Sequence, residues 1–137
     1  MNTSKIERTE HANALIKIIS QHGRRFFWNE KAQRVASFEL DGRGRVWFID
    51  DYNGKRIYTH PTGFGSRWRG FSHGGTLRAL IEALREYITH GTQLHPEYIA
   101  PERMNPGSNI WGYSTEEALA VRETAFKMPV IKRLLAA

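Results

Sequence analysis

The sequence predicts an α+β fold: an N-terminal helix, a three- to four-stranded antiparallel meander, a packing helix and C-terminal helices. Three observations carry this expectation. Ser4 and Glu7 form a capping box ahead of a helical apolar stripe. Three short runs rich in β-branched and aromatic residues, at 35–40, 45–50 and 55–59, are separated by Gly-containing turns. A second apolar stripe then runs from Thr76 to a closing Gly91.

Ala12, Leu15, Ile16 and Ile19 recur at helical spacing, so the first helix spans about 5–21 with Gly23 to end it. Residues 24–28, Arg-Arg-Phe-Phe-Trp, follow as a first, edge strand before the turn-forming Asn29, Glu30 and Lys31. Arg24 and Arg25 ahead of three aromatics can act as a phosphate clamp, or the rings can simply pin the strand into the core.

The meander is the stretch around which the rest of the chain is organised. Asn53-Gly54 is a hairpin signal, because both residues tolerate positive φ, and a two-residue turn there pairs Asp50 with Ile57 and Phe48 with Thr59. If the first hairpin pairs Leu40 with Arg45, alternation gives one face of Val35, Ser37, Glu39, Val46, Phe48, Ile57 and Thr59. That is the expected core face. The opposite face holds Ala36, Phe38, Leu40, Arg45, Trp47, Ile49, Arg56, Tyr58 and His60. Rings beside guanidiniums suit nucleic acid, with stacking on bases and donors for phosphates or guanine edges. A one-residue slip in the first hairpin moves Phe38 and Leu40 across the sheet. The competing view is that helices cover both faces and leave Arg45 and Arg56 at the rim.

Residues 60–70 contain three glycines and a proline and form an irregular loop. At its tip, Arg67 and Arg69 flank Trp68, a combination suited to a groove, an unpaired base or a pocket on another protein. Ser72, His73, Gly74, Gly75 and Thr76 run into the next helix, whose free N–H groups make His73, Gly74, Gly75 and Thr76 secondary phosphate-binding candidates with Arg24 and Arg25. The glycine spacing matches no nucleotide-binding loop.

Thr76 is the expected N-cap of that helix, and Leu77, Leu80, Ile81, Leu84, Tyr87 and Ile88 form its buried stripe. Glu82 and Glu86 on its other face would repel phosphate, so it packs under the sheet. Residues 92–113, with three prolines, read as an extended connection. Ser114 and Glu117 open a further helix that Pro129 ends, and 130–135 is expected as a last helical piece. These C-terminal apolar residues dock either in this fold or against a second copy, as a homodimer.

Length bounds the rest. At 137 residues the chain is one domain, 1–137, with 1–91 as helix–meander–helix core and 92–137 as connection and C-terminal helices. There is no cysteine, so neither a disulfide framework nor a thiolate metal site exists. No apolar run reaches the length of about 20 residues that spans a membrane, and the expected location is the cytoplasm. The net charge is +6, and residues 22–70 carry ten basic against five acidic side chains. Such asymmetry suits a polyanion-facing side.

Catalytic chemistry is thinly signalled, and no cofactor or metal is expected. The histidines at 11, 22, 60, 73, 90 and 95 make no ligand pattern. Glu39, Asp50 and Asp51 with Lys55 loosely suggest a metal-dependent nuclease, but that chemistry wants a Glu-x-Lys pair on one strand. Asp50 and Asp51 are better explained as braces of the Asn-Gly turn.

The stretch 45–91, with Arg-Gly-Phe-Ser-His-Gly-Gly-Thr leading into Leu-Arg-Ala-Leu-Ile, resembles small proteins carried by bacteriophages and prophages. In layout, three antiparallel strands and a packing helix are similar to the plant ethylene-response-type DNA-binding domain and its relatives in phage integrases. That resemblance implies groove reading from the sheet, with Arg45, Trp47, Arg56 and Tyr58 as counterparts by position. The expected function is non-enzymatic binding of DNA or RNA. Arg43, Arg45, Arg56, Arg67 and Arg69 would meet phosphates or base edges, and Trp47, Tyr58 and Trp68 would stack or pack. The alternative is a protein-binding module or inhibitor of a host factor, acting through Trp68 and 92–113.

Overall fold

A computed structural model describes residues 4–59, 75–95, 115–125 and 127–132. Its elements are α1 (Lys5–Ser20), β1 (Trp28–Asn29), β2 (Arg34–Val35), β3 (Ser37–Leu40), β4 (Val46–Ile49), β5 (Arg56–Tyr58), α2 (Gly75–His90) and α3 (Thr115–Ala125). The α+β plan expected from the sequence is the one observed.

Helix α1 begins where its capping residue dictates. Ser4 is extended, and its hydroxyl accepts the Glu7 N–H at 3.1 Å while donating to the Glu7 carboxylate at 3.3 Å. Ala12, Leu15, Ile16 and Ile19 are fully buried, and the chain turns away through Gly23 at φ 59°. Helix α2 buries all six residues of its expected stripe and stops at Gly91, whose φ of 79° suits a residue without Cβ. It starts at Gly75, so Thr76 lies in the first turn rather than capping it.

The strand region departs from expectation in several places. Residues 24–27 are turn rather than strand, with Arg25 and Phe27 at positive φ. The short strand that follows, β1, pairs with β2 as a separate two-stranded sheet. The run 35–40 is therefore divided, its first part joining β1 and its second part β4.

In the three-stranded sheet, ordered β3-β4-β5, Leu40 pairs with Val46 and Phe38 with Phe48. The Leu40–Arg45 register is thus wrong by one residue. Phe38 and Leu40 turn inward, while Ser37 and Glu39 face out. Solvation explains the choice: placing Glu39 in the core would strand a carboxylate in a medium of low dielectric, whereas burying Phe38 stabilises by about 2 kcal/mol. In the second hairpin Phe48 pairs with Ile57, not Thr59. That slip is two residues, so the faces survive it. The reason is the loop. Asp50 pairs backbone groups with Lys55 at 3.0 Å, and its carboxylate accepts the N–H groups of Tyr52 and Asn53 at 2.9 and 3.3 Å. The turn thus closes around Asp50 instead of around Asn53 and Gly54 alone.

One apolar core joins Phe38, Val46, Phe48 and Ile57 of the sheet to the buried stripes of α1 and α2 and to Phe27. Phe48 meets Phe38 and Phe27 edge-on, with ring centroids 5.5 and 6.1 Å apart. From α3 and the segment after it, Val121, Ala125, Val130 and Ile131 enter the same core, so these apolar residues dock within this chain. Val130 and Ile131 do not continue a helix. Leu94 donates to the Val130 carbonyl at 2.8 Å and accepts from Lys132 at 2.7 Å, in a short parallel bridge with Ile131. Among the described residues no helix is long and apolar enough to cross a membrane.

Candidate nucleic-acid interface

The core takes only the Phe48 face of the sheet, and Trp47, Ile49 and Tyr58 point the other way, half-buried. Among the described residues, helices therefore cover one face and not both. On the outer face, Glu39, Trp47 and Tyr58 form one cross-strand row, and Ser37, Ile49 and Arg56 form the next.

Side chains on this face interleave cation with ring. Trp47 and Tyr58 meet with centroids 4.9 Å apart, tilted by 36°. Arg56 lies over the Trp47 ring, its guanidinium carbon 4.4 Å from the centroid, and its Nη2 is 3.6 Å from the Glu39 carboxylate. Arg45 sits 5.8 Å over Tyr58. Each such contact contributes about 0.5–1 kcal/mol at an exposed site. Their larger consequence is order, since a stacked guanidinium keeps its in-plane donors while losing rotamer freedom.

The β3–β4 turn supplies the rest. Asp41 Oδ1 accepts the backbone N–H groups of Arg43 and Arg45, both at 2.9 Å. Its Oδ2 accepts Arg45 Nε at 2.6 Å and the Trp47 indole N–H at 3.0 Å. The Trp47 hydrogen bond, with those from Arg45 and Arg43, holds the Asp41 carboxyl below the usual carboxylate range. Gly44, at φ 74°, completes the turn, and its carbonyl accepts from Lys5 of α1 at 3.1 Å. Arg43, in the same turn, is exposed.

Of the residues singled out in the sequence, Arg43, Arg45, Trp47, Arg56 and Tyr58 come together here. Arg24 and Arg25 do not join them. They occupy the turn before the β1–β2 hairpin, which docks at the opposite end of the sheet through Asn29 to the Tyr52 carbonyl at 3.1 Å and Arg34 to the Asp51 carbonyl at 3.3 Å. Arg25 instead lies 3.8 Å from Glu30. Gly75 and Thr76 begin α2. His60, Arg67, Trp68, Arg69, His73, Gly74 and 96–113 lie outside the described residues.

Asp41 is the residue that sequence reasoning missed. An Asp opening a Gly-rich turn is ordinarily a local brace, and its reach to Arg45 and Trp47 follows only from the observed register. The acids considered for nuclease chemistry are otherwise engaged: Asp50 is fully buried in its turn and Glu39 faces Arg56 on the outer face. Among the described residues no three His, Asp or Glu side chains gather into a metal-binding group.

A relative from Bacillus subtilis (strain 168), described as an SPbeta prophage-derived uncharacterized protein YoqU, is 30% identical over 131 residues, covering 96% of this chain and 88% of its own. No solved structure matches the chain. The model of the YoqU family matches residues 2–134, and the chain, prophage-type as its sequence suggests, belongs to that family.

Proposed function

We propose that this protein binds nucleic acid non-enzymatically through the outer face of β3–β5, in the cytoplasm, with Arg43, Arg45 and Arg56 meeting the ligand. The observation supporting this is the order Arg56, Trp47, Tyr58, Arg45, in which each guanidinium lies over a ring. Because Arg56 occupies the face of Trp47, the rings serve as platforms for guanidiniums rather than for bases. The guanidiniums keep their edges for phosphate oxygens or base acceptors. Three guanidiniums stand against the carboxylates of Glu39 and Asp41, so the face relies on placement more than on bulk charge.

Fluorescence anisotropy with duplex DNA and single-stranded RNA, at about 50 and 200 mM salt, tests the proposal. Wild type is expected to bind, and to weaken as salt rises. Arg43→Ala/Arg56→Ala should bind less tightly, with the slope of log K against log salt smaller by about 2, one for each lost phosphate contact. Absence of binding to either nucleic acid at the lower salt overturns the proposal.

A further inference from the structure

We infer that Asp41 is a positioning residue that presents Arg45 as a fixed fork to a pair of hydrogen-bond acceptors on the ligand, a guanine edge or two phosphate oxygens. This inference rests on the nucleic-acid reading of the outer face. An acid within a face meant for a polyanion is a liability unless its charge is engaged. Asp41 is engaged fully: both oxygens accept two hydrogen bonds each, from Arg43 N, Arg45 N, Arg45 Nε and Trp47 Nε1, and its side chain is only 12% exposed.

The way it holds Arg45 is specific. Oδ2 takes the Nε edge of the guanidinium at 2.6 Å, and the Tyr58 ring lies beneath. Among the described residues, the two terminal NH2 groups of Arg45 have no partner, and the side chain is 46% exposed. A guanidinium fixed at Nε and stacked on a ring has one free edge, the pair of terminal nitrogens. That edge matches O6 and N7 of guanine, or two oxygens of one phosphate. Oδ2 also fixes Trp47, the ring that carries Arg56. One carboxylate thus orders both guanidiniums of the face.

The test compares wild type, Asp41→Asn and Arg45→Lys in selection from randomised pools of duplex DNA and single-stranded RNA, followed by anisotropy on the selected sequence. In Asp41→Asn the amide oxygen still accepts the turn N–H groups, while the NH2 opposes Arg45 Nε and Trp47 Nε1. Arg45→Lys keeps the charge and removes the fork. If the acceptor pair is a guanine edge, wild type enriches guanine at one position. Both variants then lose that preference, by roughly 5- to 150-fold in Kd, and 7-deazaguanine at that position weakens wild type alone. If it is a phosphate, no guanine is enriched and 7-deazaguanine is without effect, yet both variants still bind more weakly than wild type. The Asp41→Asn result separates positioning from charge, because simple loss of an acid tightens binding to a polyanion. A folded Asp41→Asn protein that binds as well as wild type or better overturns the inference, and so does an Arg45→Lys protein that matches wild type. Arg45→Lys leaves Asp41 in place and decides the matter if thermal melting shows Asp41→Asn to be unfolded. Failure of wild type to bind any nucleic acid overturns the function itself along with the inference, and is distinguished by the wild-type arm alone.

Discussion

Asn13 of α1 grips Phe38 of β3 by both of its backbone groups, donating to the Phe38 carbonyl at 3.0 Å and accepting the Phe38 N–H at 2.5 Å. A side-chain amide thus stands where a neighbouring strand would pair. Since β3 is an edge of its sheet, the contact occupies groups that would otherwise recruit another chain. It also helps to set the register, because it holds Phe38 against α1 with its ring inward on Phe48.

Asn13→Ala is expected to destabilise the protein by about 1–3 kcal/mol, since Phe38 loses both partners at once. A lowered urea midpoint with an unchanged slope would confirm this. Aggregation at high protein concentration should rise as well, because the edge becomes available.

Asp41 makes part of the stability depend on pH. Its folded carboxyl is held below its ordinary value of 3.8 by Trp47, Arg45 and Arg43. A depressed carboxyl adds stability above its unfolded pKa and loses it as pH falls toward the folded one. The gap in urea midpoint between wild type and Asp41→Asn should therefore be full at neutral pH and narrow as pH drops below 3.8. A gap constant across that window would contradict the assignment.

Gly54 and Gly91 should respond differently to alanine. Both have positive φ, 68° and 79°, so each substitution carries left-handed strain of about 1–2 kcal/mol. Around Gly91 a new Cβ meets open space, whereas at Gly54 it falls 2.9 Å from the Arg34 guanidinium and displaces it from the Asp51 carbonyl. Gly54→Ala is expected to be the more costly, by about 1 kcal/mol, in paired thermal melts.

Phe48→Ala should remove most of the fold's margin. The ring is fully buried between Phe27 and Phe38, and truncation costs about 3–5 kcal/mol of a total stability of about 5–15. Circular dichroism under mild denaturant should show a largely unfolded variant.

Helices α1 and α2 were legible because their determinants are local: an apolar residue at every third or fourth position and a glycine after the end, with a serine cap for α1. The strands were legible as strands, but not in their pairing. Asp41-Gly-Arg-Gly accommodates more than one turn, and only the partner across the sheet distinguishes them. One clue lay in the sequence all the same. The face assigned to the core contained Ser37 and Glu39, while its rival contained Phe38 and Leu40, and solvation alone favours the exchange.

The sequence by itself determined the α+β class, both long helices with their buried stripes, and a mixed basic and aromatic face bearing Arg45, Trp47, Arg56 and Tyr58. These follow from periodicity and capping, which act within a few residues. Tertiary structure alone decided that Phe38 turns inward against Phe48, that 28–35 forms a hairpin of its own, and that Asp41 joins Arg45 to Trp47. Each of these depends on contacts between residues distant in the chain or on hairpin register, and register is settled only when Asn13, Phe38 and Phe48 meet.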